Sequence, residues 1–168
     1  FRSPTVLNKI KDADKPVVFF NREPATDTVK SYDKAMFVGT NAQEAGVLQG
    51  KILVDQWKAN PALDKNGDGV MQYVMLKGEP DNAEAVARTK FSVSTINDAG
   101  IKTEELANQV CNWQQDLAQT NMEAWLSRYG NGIEVVISNN DGMAQGAIAA
   151  LQAAGYNNGD AAKTIPVV

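Results

Sequence analysis

The chain is built from short apolar runs separated by longer segments in which apolar residues recur at helical spacing. Nearly continuous apolar runs occur at 16–20, 35–38, 71–76 and 133–138. A run of this kind is typical of a strand that is buried on both faces of a parallel sheet. Because such strands alternate with helical segments, we expect right-handed βαβ units and an α/β fold with parallel sheets.

The helical segments predict which side chains face the core. Capping-box spacing at Asn41–Glu44 opens a helix that Asn60-Pro61 ends. Its residues expected to point mostly inward are Ala45, Val47, Leu48, Ile52 and Val54. Further helices are expected at 5–11, 83–98, 114–128 and from Met143 to Gly155, with inner faces formed by Val86, Val93 and Ile96, by Leu117, Ala118, Met122, Trp125 and Leu126, and by Met143, Ala147, Leu151 and Ala154. A polar loop leads to Asp33, a short extended segment precedes residue 114, and a last strand begins at Ile165.

Oxygen-bearing side chains recur at every second position in the loop that precedes the run at 71–76. In the pattern of a calcium loop, Asp64, Asn66 and Asp68 occupy positions one, three and five, Gly69 position six, Val70 (through its carbonyl) position seven, and Gln72 position nine. The glutamate expected at position twelve is replaced by Met75, so a carboxylate from elsewhere must complete the site. The alternative is a polar turn between a helix and a strand.

Composition excludes several classes of function. The chain has no histidine, which removes Ser-His-Asp and Cys-His catalysis and histidine-based zinc sites. The net charge is −4, and no basic stripe is present to neutralise phosphates, so we expect no nucleic-acid partner. No apolar run approaches the roughly 20 residues that cross a bilayer. The single cysteine, Cys111, is expected to be a small buried apolar side chain. Because the chain starts at Phe1 without a methionine and ends in an apolar run, we interpret it as an internal piece of a longer protein.

Ligands of parallel α/β sheets bind at the carboxyl ends of the strands. In this chain that rule selects the segment 77–88 and the segment 138–141. Both are polar, so both are candidates for binding a small polar molecule.

Several segments together carry a family resemblance. They are 16–24 (PVVFFNREP), 31–35 (SYDKA), 38–40 (VGT), the loop 64–72, 76–80 (LKGEP), 122–126 (MEAWL) and 133–141 (IEVVISNND). With them the chain resembles the periplasmic galactose/glucose-binding proteins of bacterial ABC transporters, within the type I periplasmic-binding-protein superfamily. The resemblance implies two α/β lobes with sugar in the cleft: residues 1–40 would be the last part of the first lobe, and 41–168 most of the second.

The resemblance also implies function and partners. It implies a monosaccharide-binding protein, not an enzyme, that delivers its sugar to an ABC transporter permease, with a chemoreceptor as a further partner. It implies a monomer in the periplasm or outside the cell, with a lipid anchor as one variant. For the metal loop it supplies the absent ligand: Glu134 would close a structural Ca²⁺ site bidentately. A solvated carboxylate at the end of a strand is the alternative for Glu134.

For the sugar site, the resemblance implies Asn82, Glu84, Arg88, Trp113 and Asn140. Amides, carboxylates and guanidinium groups form paired hydrogen bonds with hydroxyls, and an aromatic ring packs on the CH face of a sugar. Each has an ordinary alternative: a surface ion pair for Arg88, a core aromatic for Trp113, and a helix N-cap for Asn140, which Asn139 could share. The family often has His and Asp where this chain has Asn82 and Glu84, with Asp81 as another source of a short carboxylate. Glucose, galactose, a methyl-galactoside and xylose therefore all stay open.

Two other functions compete with this one. The effector-binding core of a LacI-type repressor has the same fold, but it usually lacks the metal loop and Glu134. A glycosidase that uses Glu79 and Glu84 would need paired carboxylates, and only residue type supports it.

Overall fold

The computed structural model describes residues 4–22 and 24–168. The chain forms two compact units, Phe1–Asn41 and Ala42–Val168. Their assignment to the last part of one lobe and most of another stays a prediction. No helix among the described residues combines the length and the apolar character needed to span a membrane.

The smaller unit contains two helices and two parallel strands. They are α1 (Pro4–Asp12), β1 (Val17–Phe20), α2 (Thr26–Lys30) and β2 (Ala35–Val38), with Val18 opposite Met36 and Phe20 opposite Val38. Helix α2 lies in the stretch that the sequence analysis describes as a polar loop. The prediction that both strands are buried on both faces is wrong, because Val18, Phe20, Met36 and Val38 are all more than half exposed. Side chains alternate across a strand, and two strands with two short helices supply too few residues to cover both faces.

The larger unit is a three-stranded parallel sheet with two helices on each face. Its elements are α3 (Ala42–Ala59), β3 (Val70–Lys77), α4 (Ala83–Asp98), β4 (Lys102–Val110), α5 (Gln115–Tyr129), β5 (Val135–Ser138) and α6 (Asp141–Ala153). The strand order is β4-β3-β5, and both pairings are parallel. The predicted α/β fold with parallel sheets is therefore confirmed.

The two faces of this sheet carry two separate apolar clusters. Val74 and Leu76 of β3 pack with residues of α5 and α6, whereas Met71, Tyr73 and Met75 pack with residues of α3 and α4. Since successive strand residues point to opposite faces, a strand covered on both sides is apolar at nearly every position. Burial of one such side chain contributes about 1.5–3 kcal/mol. The core thus accounts for the continuous run at 71–76.

Some of the predicted inward-facing residues are exposed. On α3, Leu48 and Ile52 are 52% and 47% exposed, and the buried residues are Gly46, Gly50, Leu53 and Val54. This helix lies so close to α4 that a Cβ atom on Gly50 would come 2.6 Å from the Ser92 carbonyl oxygen. A face lined by glycine gives no hydrophobic signal, which is why the prediction included Leu48 and Ile52 and missed the glycines, although Val54 is buried as predicted. Exposed residues predicted to be buried on the other helices are Val86, Leu117 and Ala154.

Strand β4 is longer and more polar than the short extended segment predicted for this region. It runs for nine residues at the edge of the sheet, with the sequence KTEELANQV. An edge strand is open on one side and can keep charged side chains in solvent. At the other edge, the strand predicted from Ile165 is a single bridge, with Val167 paired to Val136 of β5.

Candidate functional site

The carboxyl ends of the three strands in the larger unit are connected to one another by hydrogen bonds. The Gly78 N–H, just after β3, donates to Asn139 Oδ1 at 3.0 Å, and the Asn139 N–H donates to the Leu76 carbonyl at 3.0 Å. The Cys111 N–H, just after β4, donates to the Lys77 carbonyl at 2.7 Å. This edge is the place at which the sequence analysis expects a ligand.

Helix α4 presents a charged pair to the same edge. Arg88 Nε lies 3.2 Å from Glu84 Oε2, and Arg88 Nη1 donates to the Asn139 carbonyl at 2.7 Å. Both side chains are partly exposed, at 26% for Arg88 and 22% for Glu84. The guanidinium group is therefore held in place by the turn after β5 and is not a free surface side chain.

Trp113 reaches this edge through an unusual backbone conformation. Asn112 and Trp113 both lie in the left-handed region, with φ of 49° and 68°. That region is rare for a bulky residue, and such strain persists only where surrounding contacts fix it. The indole ring packs against Gly78, where a Cβ atom would collide with it. The turn is also held by Asn140 Nδ2, which lies 3.3 Å from the Trp113 carbonyl.

Asn82 and Asn140 both cap helices. Asn82 Oδ1 accepts from the Glu84 N–H at 2.9 Å, and Asn140 Oδ1 accepts from the Met143 N–H at 2.9 Å. The N-cap interpretation of Asn140 is therefore correct, and it places this residue at the same edge as Arg88 and Trp113. Their contact with a sugar stays a prediction.

Asn139 and Thr89 also contribute to this edge, although the sequence pattern indicates only a shared N-cap role for Asn139 and no role for Thr89. Asn139 is fully buried, and its side chain contacts both Gly78 and Thr89. Its position after an apolar strand was visible in the sequence, but its burial depends on α4 packing over it. The position of Thr89 one residue after Arg88 gave no separate signal.

At the opposite end of the sheet, the loop 64–72 is folded around its own side chains. Asp64 Oδ1 and Oδ2 accept from the N–H groups of Gly67 and Gly69 at 2.8 and 2.9 Å. Both glycines have φ near 73°, the left-handed conformation that the sharp turn requires. Asp68 Oδ1 accepts from the Val70 N–H at 2.8 Å, and that bond is the main cause that lowers the pKa of Asp68.

Glu134 joins this loop from the segment before β5. Its carboxylate is 1% exposed and accepts from the backbone N–H groups of Lys65 at 2.6 Å and Gln72 at 3.1 Å. Burial raises the pKa of Glu134, and the nearby carboxylates of Asp64 and Asp68 raise it further, against those two hydrogen bonds. The alternative of a solvated carboxylate is therefore wrong.

The residues of the loop fit a hard cation in one specific respect. Gln72 Nε2 lies 2.9 Å from Asp68 Oδ2, and Gln72 Oε1 is buried without a hydrogen-bond partner. A buried oxygen without a donor is costly, and a cation relieves that cost. Within 4–22 and 24–168, no three His, Cys, Asp or Glu side chains form a group able to hold a metal. Asp64, Asp68 and Glu134 therefore do not form such a group by themselves, and a Ca²⁺ site that adds amide and carbonyl oxygens to them stays a prediction.

Comparison with known proteins identifies the family. Residues 3–167 match the family model described as "Periplasmic binding protein domain". The chain belongs to this family. The match confirms the resemblance stated from the sequence.

The relatives of this family member are binding proteins. This chain is 47% identical to the D-galactose/methyl-galactoside binding periplasmic protein MglB of Haemophilus influenzae, over 91% of this chain and 46% of that protein. Among solved structures, it resembles an ABC transporter periplasmic solute-binding protein from Actinobacillus succinogenes with bound D-allose, at a TM-score of 0.73, 19% identity and 97% and 53% coverage of the two chains. It also resembles the binding component of the arabinose ABC transporter from Shewanella, at a TM-score of 0.74, 24% identity and 90% and 46% coverage. At these identities, the two structures show the fold alone.

These comparisons bear on the alternatives. The relatives are transport binding proteins and not enzymes, in agreement with the expectation from the sequence. They do not favour a transcription repressor. The chain spans about half the length of the relatives, 46% in the case of the Haemophilus protein.

Proposed function

We propose that the protein containing this chain binds a galactose-type monosaccharide in the periplasm and delivers it to the permease of an ABC transporter. The observation that carries the proposal is the convergence of Arg88, Trp113 and Asn140 at the carboxyl end of the sheet. Family membership supports the transport role and the periplasmic location. Delivery to a chemoreceptor, a lipid anchor and the monomeric state stay predictions from the resemblance.

Each residue has a chemical role in this proposal. Arg88 donates from a fixed guanidinium fork to neighbouring hydroxyls, and Glu84 accepts from them. The ring of Trp113 packs on the apolar CH face of the sugar. Asn140 and Asn82 add amide groups, although the Oδ1 atom of each also caps a helix. A sugar that lacks one of the matching hydroxyls leaves a buried polar group unpaired, and this discriminates against it.

The identity of the sugar depends on the two positions that depart from the family pattern. Glu84 is one methylene longer than Asp, and it already lies 3.2 Å from Arg88 Nε. Asn82 offers one amide in place of an imidazole. We propose galactose and methyl-galactosides ahead of glucose and xylose, a ranking supported by the similarity to a D-galactose/methyl-galactoside binding protein.

Calorimetric titration of the full-length protein with these four sugars tests the proposal. We expect a Kd in the micromolar range or below for at least one of them. Arg88→Ala should weaken binding by tenfold or more, because a charge-assisted hydrogen bond contributes about 1.5–3 kcal/mol. Arg128→Ala is the control: this arginine lies over the Tyr129 ring and should leave affinity unchanged. Absence of binding for every sugar would refute the proposal.

The proposal includes a structural Ca²⁺ held by Asp64, Asn66, Asp68, the Val70 carbonyl, Gln72 and Glu134. It is supported by the unpaired Gln72 Oε1 and by the concentration of negative charge around the buried Glu134. When bound, the ion would offset the mutual repulsion of three carboxylates. Direct binding is tested by calcium titration of metal-stripped protein, with Glu134→Gln as the variant that should lose affinity.

A further inference from the structure

The turn after β5 is held by side chains from α3 and α4 and by the last side chain of β5 itself. Its three successive carbonyls accept hydrogen bonds from Gln49 Nε2 (Ser138 O, 2.7 Å), Arg88 Nη1 (Asn139 O, 2.7 Å) and Ser138 Oγ (Asn140 O, 2.9 Å). A turn fixed at every carbonyl has little freedom to change the position of Asn140.

Asn139 is the centre of this arrangement, and it has no exposed surface. Its Oδ1 accepts from the Gly78 N–H at 3.0 Å, and Thr89 Oγ1 lies 3.2 Å from both its Oδ1 and its Nδ2. The Nδ2 atom also lies 3.9 Å from the sulfur of Met75. One buried amide therefore joins the exit of β3, helix α4 and the turn after β5.

Each element joined by this amide either carries a residue of the proposed sugar site or packs against one. Gly78 supports the Trp113 ring, Thr89 follows Arg88 on α4, and Asn140 follows Asn139 itself. Arg88 is linked a second time, since it donates to the Asn139 carbonyl. A displacement of the Asn139 side chain would thus shift Trp113, Arg88 and Asn140 together.

We infer that the buried Asn139 and the partly buried Thr89 form an amide–hydroxyl clamp that positions the sugar-binding residues without touching the sugar. The inference deepens the proposed function and rests on it for its effect on affinity. A buried polar network of this kind is costly when one member is removed, because its partners are left unsatisfied. The clamp would therefore determine affinity through geometry, and a loss of about an ångström in placement is enough to weaken a site.

Substitutions at Thr89 test the clamp with little change in volume. Thr89→Val removes the hydroxyl and keeps the shape, and Thr89→Ser keeps the hydroxyl. In the full-length protein, well below the melting temperature, we expect Thr89→Val to raise the sugar Kd about tenfold, equivalent to about 1.4 kcal/mol. Thr89→Ser should restore most of the affinity. Ser92→Ala is the matched control: this buried hydroxyl on the same helix bonds to the Thr89 carbonyl and not to the Asn139 side chain, so sugar affinity should stay at the wild-type value.

A second measurement does not depend on sugar. The exchange rate of the Gly78 amide hydrogen reports its bond to Asn139 Oδ1. We expect Asn139→Leu to abolish its protection, and Thr89→Val to lower it at least tenfold, while Ser92→Ala leaves it unchanged. Unchanged protection in Thr89→Val, or wild-type affinity in that variant, would overturn the clamp. Wild-type protein that binds no sugar, with these exchange changes present, would instead refute the proposed function and leave the clamp as a structural feature.

Discussion

Cys111 is the single thiol of the chain, and it lies directly after β4, two residues before Trp113. It is fully buried in the cluster that contains Met122 and Trp125, and its N–H is bonded to the Lys77 carbonyl. Burial raises the pKa of the thiol, against a weak hydrogen bond from Asn121. Burial reduces the reactivity of the thiol in two ways, because it raises the pKa and blocks access, and only an accessible thiolate attacks a reagent.

We expect Cys111 in the folded protein to react with a thiol reagent at least about a thousandfold more slowly than in urea-unfolded protein, since access requires opening of the core. Because the pKa is raised in the folded state, that state binds more protons. The protonated thiol therefore contributes to the free energy of unfolding at a pH below the usual thiol pKa, near 8.5, and this contribution is lost as the pH rises above it. Labelling followed by mass spectrometry measures the rate. Similar rates in folded and unfolded protein would contradict the burial of this thiol.

At the scale of elements, the contact between α3 and α4 depends on glycine. A Cβ atom on Gly50 would lie 2.6 Å from the Ser92 carbonyl oxygen and 2.7 Å from Thr95 Cβ. Neither is the flexible end of a side chain, so the helices must separate to admit it. The contact therefore explains why α3 buries a small-residue stripe and leaves Leu48 and Ile52 in solvent.

Gly50→Ala should lower the free energy of unfolding by about 1–3 kcal/mol, because overpacking outweighs the higher helix propensity of alanine. Gly142→Ala on α6 is the matched control. Its nearest contacts would be at 3.6 Å, so alanine should be neutral there or stabilise by up to about 1 kcal/mol. Urea denaturation of both variants measures the difference. Equal stability of the two variants would show that α3 and α4 do not pack as described.

The strands and helices of the larger unit differ in how far the sequence predicts them. The strands β3 and β5 were predictable, because the core covers both of their faces and leaves continuous apolar runs. The buried face of α3 was not, because hydrophobic spacing cannot reveal a contact made by glycine. Strand β4 was described only as a short extended segment, since its polar residues are those of an open edge. Arg88, Trp113 and Asn140 were selected through the resemblance and their places at strand ends, but Asn139 became prominent only from its contacts in three dimensions.

At the scale of the whole larger unit, the proposed sugar site and the proposed cation site lie at opposite ends of the sheet. The proposed sugar residues lie at the carboxyl ends of the strands, whereas Glu134 and Gln72 lie near the amino ends of β5 and β3. The Glu134 carboxylate accepts a hydrogen bond from the Gln72 N–H and so joins two residues that are 62 positions apart in the chain. A cation at this place would tie β3 to β5 without contributing to sugar contacts.

Removal of calcium should therefore lower stability and leave sugar affinity nearly unchanged. At a calcium concentration about a thousand times its Kd, binding adds about 4 kcal/mol to the free energy of unfolding. For a unit of this size, that corresponds to a fall in melting temperature of about 15 °C when EDTA removes the ion. Glu134→Gln should melt at a temperature that calcium no longer changes, which separates loss of the site from an effect of EDTA elsewhere. The wild-type sugar Kd in EDTA, measured well below the lowered melting temperature, should stay within about twofold of its value in calcium, since the two sites share no residue. An unchanged melting curve after verified removal of metal would exclude a stabilising cation at this loop.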